Sequence, residues 1–252
     1  MEQKIWLNEQ LVTADEPHIH HYDSGFTTGI GIFDSLLCHE GTPQHGQDHL
    51  ARIHHDCEIV LRASIPSLNY EKFLDIIQTL LKHNNLETGY ARIRTTVTGG
   101  KVTHPLAPVE HPNILISAGT TPAPDELPDV TAVIITDYPR IAGCALENCK
   151  RLDYSRAYAA RMDAINHGVT EAILTNTNGD IACGATSNIF IEEDGTLFTP
   201  PLSDGVLAGV TRKNLMLERN IKEESISIAR LKNADKIYIS NSFFGLKLIQ
   251  LL

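Results

Sequence analysis

"ENCKRLDYSRA", residues 147–157, sets one lysine, Lys150, between a cysteine and an arginine. Upstream, residues 130–136 form a run of apolar and β-branched side chains that predicts a strand. Downstream, the spacing predicts a helix over 154–167, stopped by Gly168. A lysine at a strand-to-helix junction is ordinarily a solvated loop residue. Whether this one is anything more depends on what surrounds it in the chain.

The first half opens with strand patterns at 4–7 and 32–38, the second turning at His39-Glu40-Gly41. A helix follows from about Asp48, with Leu50, Ile53, Cys57, Val60 and Leu61 on one stripe. Ser67-Leu68-Asn69 offers caps for a second helix, whose stripe is Phe73, Ile76, Ile77, Leu80 and Leu81. Strands are predicted at 91–98 and 113–117. "GTTPAPDELPD", residues 119–129, carries three prolines and an acidic cluster and reads as a linker. Beyond 130–136 and the Lys150 helix lies a strand at 171–176, and then the hairpin signal Asn178-Gly179. Strands at 187–191 and 196–199, a helix from near Gly209 through Leu217, a strand at 236–240 and a turn at Asn241-Ser242 complete the pattern. The expectation is an α/β protein with mixed (α+β) sheets: an N-terminal α/β domain over 1–118, a linker over 119–129, and a C-terminal domain over 130–252.

Bulk properties narrow the function classes. The formal charge of −10 and the lack of any Lys/Arg run argue against nucleic-acid binding. Apolar stretches are too short to span a bilayer, so no membrane partner is expected. The five cysteines are odd in number, irregularly spaced and without a CxxC, which reads as reduced thiols of a cytoplasmic protein. "MEQKIWLNEQLV" reads as a polar-punctuated strand rather than an export signal. "HIHH", residues 18–21, has imidazoles at i and i+2 but no carboxylate or thiol at ligand spacing; it reads as a solvated cluster, and no metal is expected. Cys144 and Cys149 lack the Cys/His/Asn pattern of a thiol nucleophile. His49 and His54-His55 read as surface or supporting residues.

One stretch suggests an anion cradle. In "VLAGVTRKNL", residues 206–215, the backbone N–H groups of Val210 and Thr211 and the Thr211 hydroxyl stand at a helix start, where unpaired donors suit a phosphate. By itself this is also what any helix start looks like. "GIG" at 29–31 is too short for a nucleotide loop and reads as a glycine-rich turn.

Five stretches in order resemble the class IV pyridoxal-phosphate enzymes, a family of branched-chain aminotransferases, D-amino acid aminotransferases and aminodeoxychorismate lyases. They are "DSGFTTGIGIFDSLLCHEG" (23–41), "HLARI" (49–53), "CKRLDY" (149–154), "GATSNIFIEEDGTLFTP" (184–200) and "GVTR" (209–212). The resemblance implies a fold of two α/β domains with pyridoxal 5'-phosphate in the cleft between them, and a homodimer acting on a small-molecule substrate. It implies that Lys150 forms the Schiff base and that Arg52 holds the phosphate, helped by Val210, Thr211 and Ser242. Tyr154 would donate a hydrogen bond to the ring oxygen and Leu207 would pack on the ring. Thr186, Ser187 and Asn188 belong to the cofactor-binding hairpin.

One departure matters. Where the family hairpin carries a glutamate that pairs with the protonated pyridine nitrogen, "IACGATSN" (181–188) has Cys183. A thiol cannot match a carboxylate there, which weakens the cofactor as an electron sink. Transamination leans on that sink more than an elimination that ends in an aromatic ring. "NSFFG" (241–245) also resembles the Asn-Ser-Leu-x-Gly of aminodeoxychorismate lyases, and Phe26 stands where D-amino acid aminotransferases resemble each other in a tyrosine. "TGG" (98–100) lacks the arginine of the family's "TRG", leaving Arg92, Arg94 or Arg140 to recognise substrate carboxylates. The expected activity is release of pyruvate from 4-amino-4-deoxychorismate to give 4-aminobenzoate for folate synthesis. The alternatives are an aminotransferase of D- or branched-chain amino acids and a catalytically weak pyridoxal-phosphate binder.

Overall fold

The computed structural model describes residues 2–16, 19–104 and 106–252. Of the "HIHH" cluster, His18 lies outside the described residues; His20 and His21 stack with ring centroids 4.6 Å apart. The chain forms two compact units, Met1–Ala123 with Lys150–Asp153, and Pro124–Cys149 with Tyr154–Leu252.

In the first unit, strands β1 (Lys4–Leu7), β2 (Gln10–Thr13), β3 (Gly31–His39), β4 (Thr42–Pro43), β5 (Tyr90–Thr98) and β6 (Asn113–Thr120) form one sheet in the order β2-β1-β6-β5-β3-β4. Every pairing recorded in it is antiparallel. The short helix α1 (Ser24–Thr28) is capped by the Asp23 carboxylate, which accepts from the Gly25 and Phe26 N–H groups. Helices α2 (Gly46–Asp56) and α3 (Tyr70–His83) cover one face of the sheet. Asn69 caps α3 by accepting from the Lys72 N–H, and Phe73, Ile76, Ile77, Leu80 and Leu81 are buried, as their spacing predicts. They pack against alternate residues of β3 and β5, among them Ile32, Leu36, Ile93 and Val97.

In the second unit the sheet runs β12-β11-β10-β14-β15-β7-β8-β9-β13. Its strands are β7 (Val130–Arg140), β8 (Glu171–Asn176), β9 (Asp180–Gly184), β10 (Asn188–Glu193), β11 (Thr196–Thr199), β12 (Ile221–Glu223), β13 (Ile226–Ser227), β14 (Lys236–Asn241) and β15 (Gly245–Leu251). It is mixed, with β7 parallel to both β8 and β15 and the β8–β9 hairpin antiparallel. Helix α4 (Ser155–Asn166) packs on β7 and β8 through Ala157, Ala160 and Ala164, small residues that let its backbone approach the sheet. Helix α5 (Val210–Glu218) lies against β14, and α6 (Ile228–Asn233) against β13. Strand β7 is longer than its sequence pattern, and β12, β13, β15 and α6 lie where the sequence pattern predicts no element.

Candidate active site

Lys150 is held at the edge of the first sheet. Strand β4 pairs with β3 only at Cys38 and His39, which leaves the start of β3 open. Residues 150–152 fill that edge. The Phe33 N–H donates to the Lys150 carbonyl (2.9 Å), the Leu152 N–H donates to the Gly31 carbonyl (2.9 Å), and Ile32 bridges Arg151. Gly31 is required here, because a Cβ would lie 2.7 Å from the Val97 carbonyl oxygen and 2.5 Å from Leu152 Cδ1. The Lys150 N–H donates to Asp56 Oδ2 at 2.9 Å, tying the segment to the end of α2.

The half-buried Lys150 Nζ stands 4.5 Å from the centre of the Phe33 ring, and Arg94 Cζ stands 4.0 Å from the same centre. Loss of solvent and the neighbouring Arg52 and Arg94 charges push the amine down to about 8, against the opposing pull of Asp34 and Asp56. A useful fraction of such an amine is neutral near pH 8, and only the neutral form is a nucleophile.

Arg52, on α2, is paired with Asp34 of β3: Nε donates to Oδ2 at 2.9 Å and Nη2 lies 2.8 Å from the same oxygen. His49, one turn earlier on α2, contacts the other carboxylate oxygen at 2.6 Å. His49 and Asp34 are both buried. Of the three arginines expected as carboxylate ligands, Arg92 is exposed and Arg94 half-buried, two residues apart on β5. Arg140, in the second unit, donates from Nε to the Gly205 carbonyl (2.8 Å) and pairs with the buried Glu147 (2.8 Å), so its fork is already engaged.

In the second unit, Tyr154 packs on the cluster that holds Cys183, Ala185 and Val206. Its hydroxyl donates to the Ala185 carbonyl at 3.0 Å. In this arrangement the phenol proton points at the backbone, so toward a ring oxygen the group acts as an acceptor unless it swings away. Cys183 is buried, and burial raises its thiol pKa, with Arg140 opposing and Glu171 and Glu147 reinforcing the rise. The sulfur is therefore a neutral S–H at physiological pH.

Thr186 and Ser187 are engaged by Glu171, a buried carboxylate on β8. Oε2 accepts from the Thr186 hydroxyl (2.7 Å) and the Ser187 hydroxyl (3.3 Å), while Oε1 accepts from the Ala172 and Ala185 N–H groups (3.0 and 3.2 Å). Both hydroxyls, expected in the cofactor-binding hairpin, thus donate their protons to Glu171. Glu171→Ala would strip the Thr186 and Ser187 hydroxyls and the Ala172 N–H of this acceptor, while the Ala185 N–H keeps the Ala172 carbonyl at 2.9 Å, and should lower the unfolding free energy by about 2 kcal/mol in urea titration. An unchanged midpoint would show that the carboxylate holds nothing.

Asn188, Leu207, Val210 and Thr211 do come together. The Asn188 amide donates to the Leu207 carbonyl at 3.0 Å, and a Cβ on Gly209 would sit 2.0 Å from Asn188 Oδ1, so only glycine fits before α5. Gly209 caps α5 without any side-chain hydrogen bond, leaving the first N–H groups, those of Val210 and Thr211 included, without a capping acceptor. Ser240 pairs with Asn188 across β14 and β10, is buried, and has an Oγ with no hydrogen-bond partner. Ser242 lies half-buried in the next turn, where Asn241 Oδ1 accepts from the Phe243 N–H at 2.9 Å. An uncapped helix start beside an unsatisfied buried hydroxyl is a donor set suited to a phosphate. In the first unit, the amine of lowered pKa suits an aldehyde. What the second unit does not offer at Cys183 is a carboxylate.

Asp34, Glu171 and Ser240 were not visible as site residues in the sequence. Asp34 alternates with Phe33 and Ser35 like any strand position, Glu171 reads as a strand start, and Ser240 as a strand end.

Residues 31–250 match the protein family described as Amino-transferase class IV. A Methanocaldococcus jannaschii protein named "Putative branched-chain-amino-acid aminotransferase" is 30% identical over 95% of this chain and 84% of its own length. The D-alanine aminotransferase of Staphylococcus epidermidis is 27% identical over 95% of this chain and 85% of its own length. Among solved structures, a Legionella pneumophila protein described as "Putative 4-amino-4-deoxychorismate lyase" superposes with a TM-score of 0.86 at 21% identity, over 94% of this chain and 88% of that one. At that identity the likeness is one of fold.

Proposed function

Because the chain belongs to the class IV aminotransferase family, we propose that it is a pyridoxal-phosphate enzyme working as a lyase, releasing pyruvate from 4-amino-4-deoxychorismate to leave 4-aminobenzoate. When bound, the cofactor supplies an aldehyde for an amine substrate and a conjugated ring that withdraws electrons from the carbon being activated. Lys150 would supply the amine that holds the aldehyde and would be the group that moves the proton at the activated carbon. In the first unit Arg52 would offer its guanidinium to a phosphate; in the second, the Val210 and Thr211 N–H groups, the Thr211 hydroxyl, Ser242 and the buried Ser240 hydroxyl would be the donors for one. Leu207, whose carbonyl accepts from the Asn188 amide, would pack on the ring, and Tyr154 would serve the ring oxygen. Thr186 and Ser187 hold the hairpin through Glu171. Arg94 is the arginine best suited to a substrate carboxylate, since it stands over the same Phe33 ring as Lys150.

The observation that carries the lyase reading is Cys183, a buried neutral thiol where the family pattern has a carboxylate. The aminotransferase reading rests on the names of the two relatives, a branched-chain and a D-alanine aminotransferase. A weak cofactor binder is the third possibility, supported by the same missing carboxylate. Purified protein incubated with 4-amino-4-deoxychorismate, and separately with D- or branched-chain amino acids and 2-oxoglutarate, separates them. Pyruvate release supports the lyase, new amino acid the aminotransferase, and neither supports the binder.

A homodimer is part of the proposal, supported by exposed Tyr22, Phe26 (78% exposed) and Leu106 in the first unit. Sedimentation at micromolar concentration tests it. A cytoplasmic location is also proposed, on the strength of five free cysteines. Among the described residues no helix is long and apolar enough to cross a membrane.

Arg52→Ala should weaken pyridoxal-phosphate binding by about 1.5–2 kcal/mol, the low side of a charged hydrogen bond because Asp34 already takes part of the guanidinium fork. Equilibrium titration of apo-protein reads this directly. Equal affinities in wild type and variant would place the phosphate elsewhere.

A further inference from the structure

We propose that Asp34 is a positioning residue that locks the Arg52 guanidinium in place for phosphate and balances the cations gathered around Lys150. The proposal rests on the reading that Lys150 is the reacting amine. Along β3, Ile32, Leu36 and Cys38 point into the apolar core, and Asp34 occupies the same row. An ionised carboxylate buried in such a row is costly unless it is fully paired. Here both oxygens are used, Oδ1 by His49 at 2.6 Å and Oδ2 by Arg52 Nε and Nη2 at 2.9 and 2.8 Å.

His49 and Arg52 lie three residues apart on α2, on one face of that helix. Two contacts from one guanidinium fix its plane as well as its position. Stability alone is a poor reason for the arrangement, because buried ion pairs contribute little over an apolar replacement. Burial works against ionisation of Asp34, but the Arg52 and His49 contacts override it and hold the carboxyl well below the usual range.

The charges facing Lys150 come from three elements. Arg52 and Asp56 are on α2, Arg94 is on β5 and Asp34 is on β3. Two cations and two anions therefore surround a third cation, the ammonium itself. Neutralising Asp34 leaves the cations in excess and disfavours the ammonium. Its loss also frees Arg52 to leave the orientation that the fork imposes.

Two readouts test the proposal, neither of them turnover. The first is the pH dependence of reductive methylation of Lys150 in apo-protein, followed by mass spectrometry of the Lys150 peptide. The wild-type midpoint should lie near 8. In Asp34→Asn it should fall by about one pH unit, the scale of one nearby charge. The second is the ratio of affinities for pyridoxal phosphate and pyridoxal, which isolates the phosphate. That ratio should drop about tenfold in Asp34→Asn, the scale of one charged hydrogen bond.

Asp34→Glu keeps the charge and displaces the fork. It should retain the wild-type midpoint and lose the ratio, and it serves alone if Asp34→Asn does not fold. A midpoint and a ratio both unchanged in Asp34→Asn, or a ratio unchanged in Asp34→Glu, overturns the proposal. Failure of borohydride to attach the cofactor to Lys150 in wild-type protein would instead defeat the functional reading on which it rests.

Discussion

Lys150→Ala should lower turnover by about a thousandfold or more, the combined loss of a covalent anchor and of the group that carries the proton. The protein itself should survive the change. The Lys150 segment is held through its backbone, by the Phe33 N–H on its carbonyl and by its own N–H on Asp56, and alanine keeps both contacts. Its unfolding free energy should therefore stay within about 1 kcal/mol of wild type. Wild-type protein loaded with pyridoxal phosphate and treated with borohydride should carry the label on the peptide containing Lys150, and the variant should carry none there. Label found on another lysine, or near-normal turnover in the variant with cofactor content matched, would remove Lys150 from the chemistry.

The same segment shows what the sequence could and could not reveal. Periodic elements were legible: the α3 stripe from Phe73 to Leu81 and the Asn178-Gly179 turn between β8 and β9 follow from local rules that need no partner. Pairing at long range was not. Nothing in "CKRLDY" announces that Lys150–Asp153 belongs with the first sheet while Tyr154 begins the second unit's helix. That placement depends on β4 being only two residues long and on Gly31 leaving room for Leu152, and both are facts about other parts of the chain.

The candidate site divides along the same line. Lys150, Arg52 and Cys183 stood out because a family resemblance gave their positions meaning. Asp34 and Glu171 are buried acids whose importance comes from the donors that converge on them, His49 and Arg52 in one case, Thr186, Ser187 and two backbone N–H groups in the other. A pattern of apolar and polar residues along a strand assigns such acids to solvent. Ser240 is hidden for the same reason, since its unsatisfied hydroxyl only has meaning beside the uncapped start of α5.

Cys183→Glu should change which reaction the protein prefers. The native thiol is buried in an apolar cluster with Ala182, Ala185 and Val206, and burial keeps it uncharged. A carboxylate at this position would place a negative charge beside the proposed ring nitrogen and hold a proton there. A charge-assisted hydrogen bond of that kind is worth up to about 3 kcal/mol, which corresponds to roughly a hundredfold. Transamination depends on how well the ring withdraws electrons and should gain most of this. Elimination that ends in an aromatic ring is already downhill and should gain little or fall. The ratio of transamination to pyruvate release is therefore expected to rise by about two orders of magnitude. The environment sets a competing effect, because Glu171 and Glu147 already act on this position and disfavour another negative charge, while Arg140 and Arg156 favour one. Paired steady-state kinetics on 4-amino-4-deoxychorismate and on amino acid with 2-oxoglutarate, at matched cofactor content, give the ratio. The bound cofactor's absorption against pH gives a second readout, since a ring nitrogen newly held protonated should titrate at higher pH in the variant. A ratio unchanged with the spectrum also unchanged would mean that Cys183 does not face the nitrogen. Brisk transamination by the wild-type protein, with no pyruvate released from 4-amino-4-deoxychorismate, would defeat the lyase reading and leave the thiol compatible with the chemistry of the aminotransferase relatives.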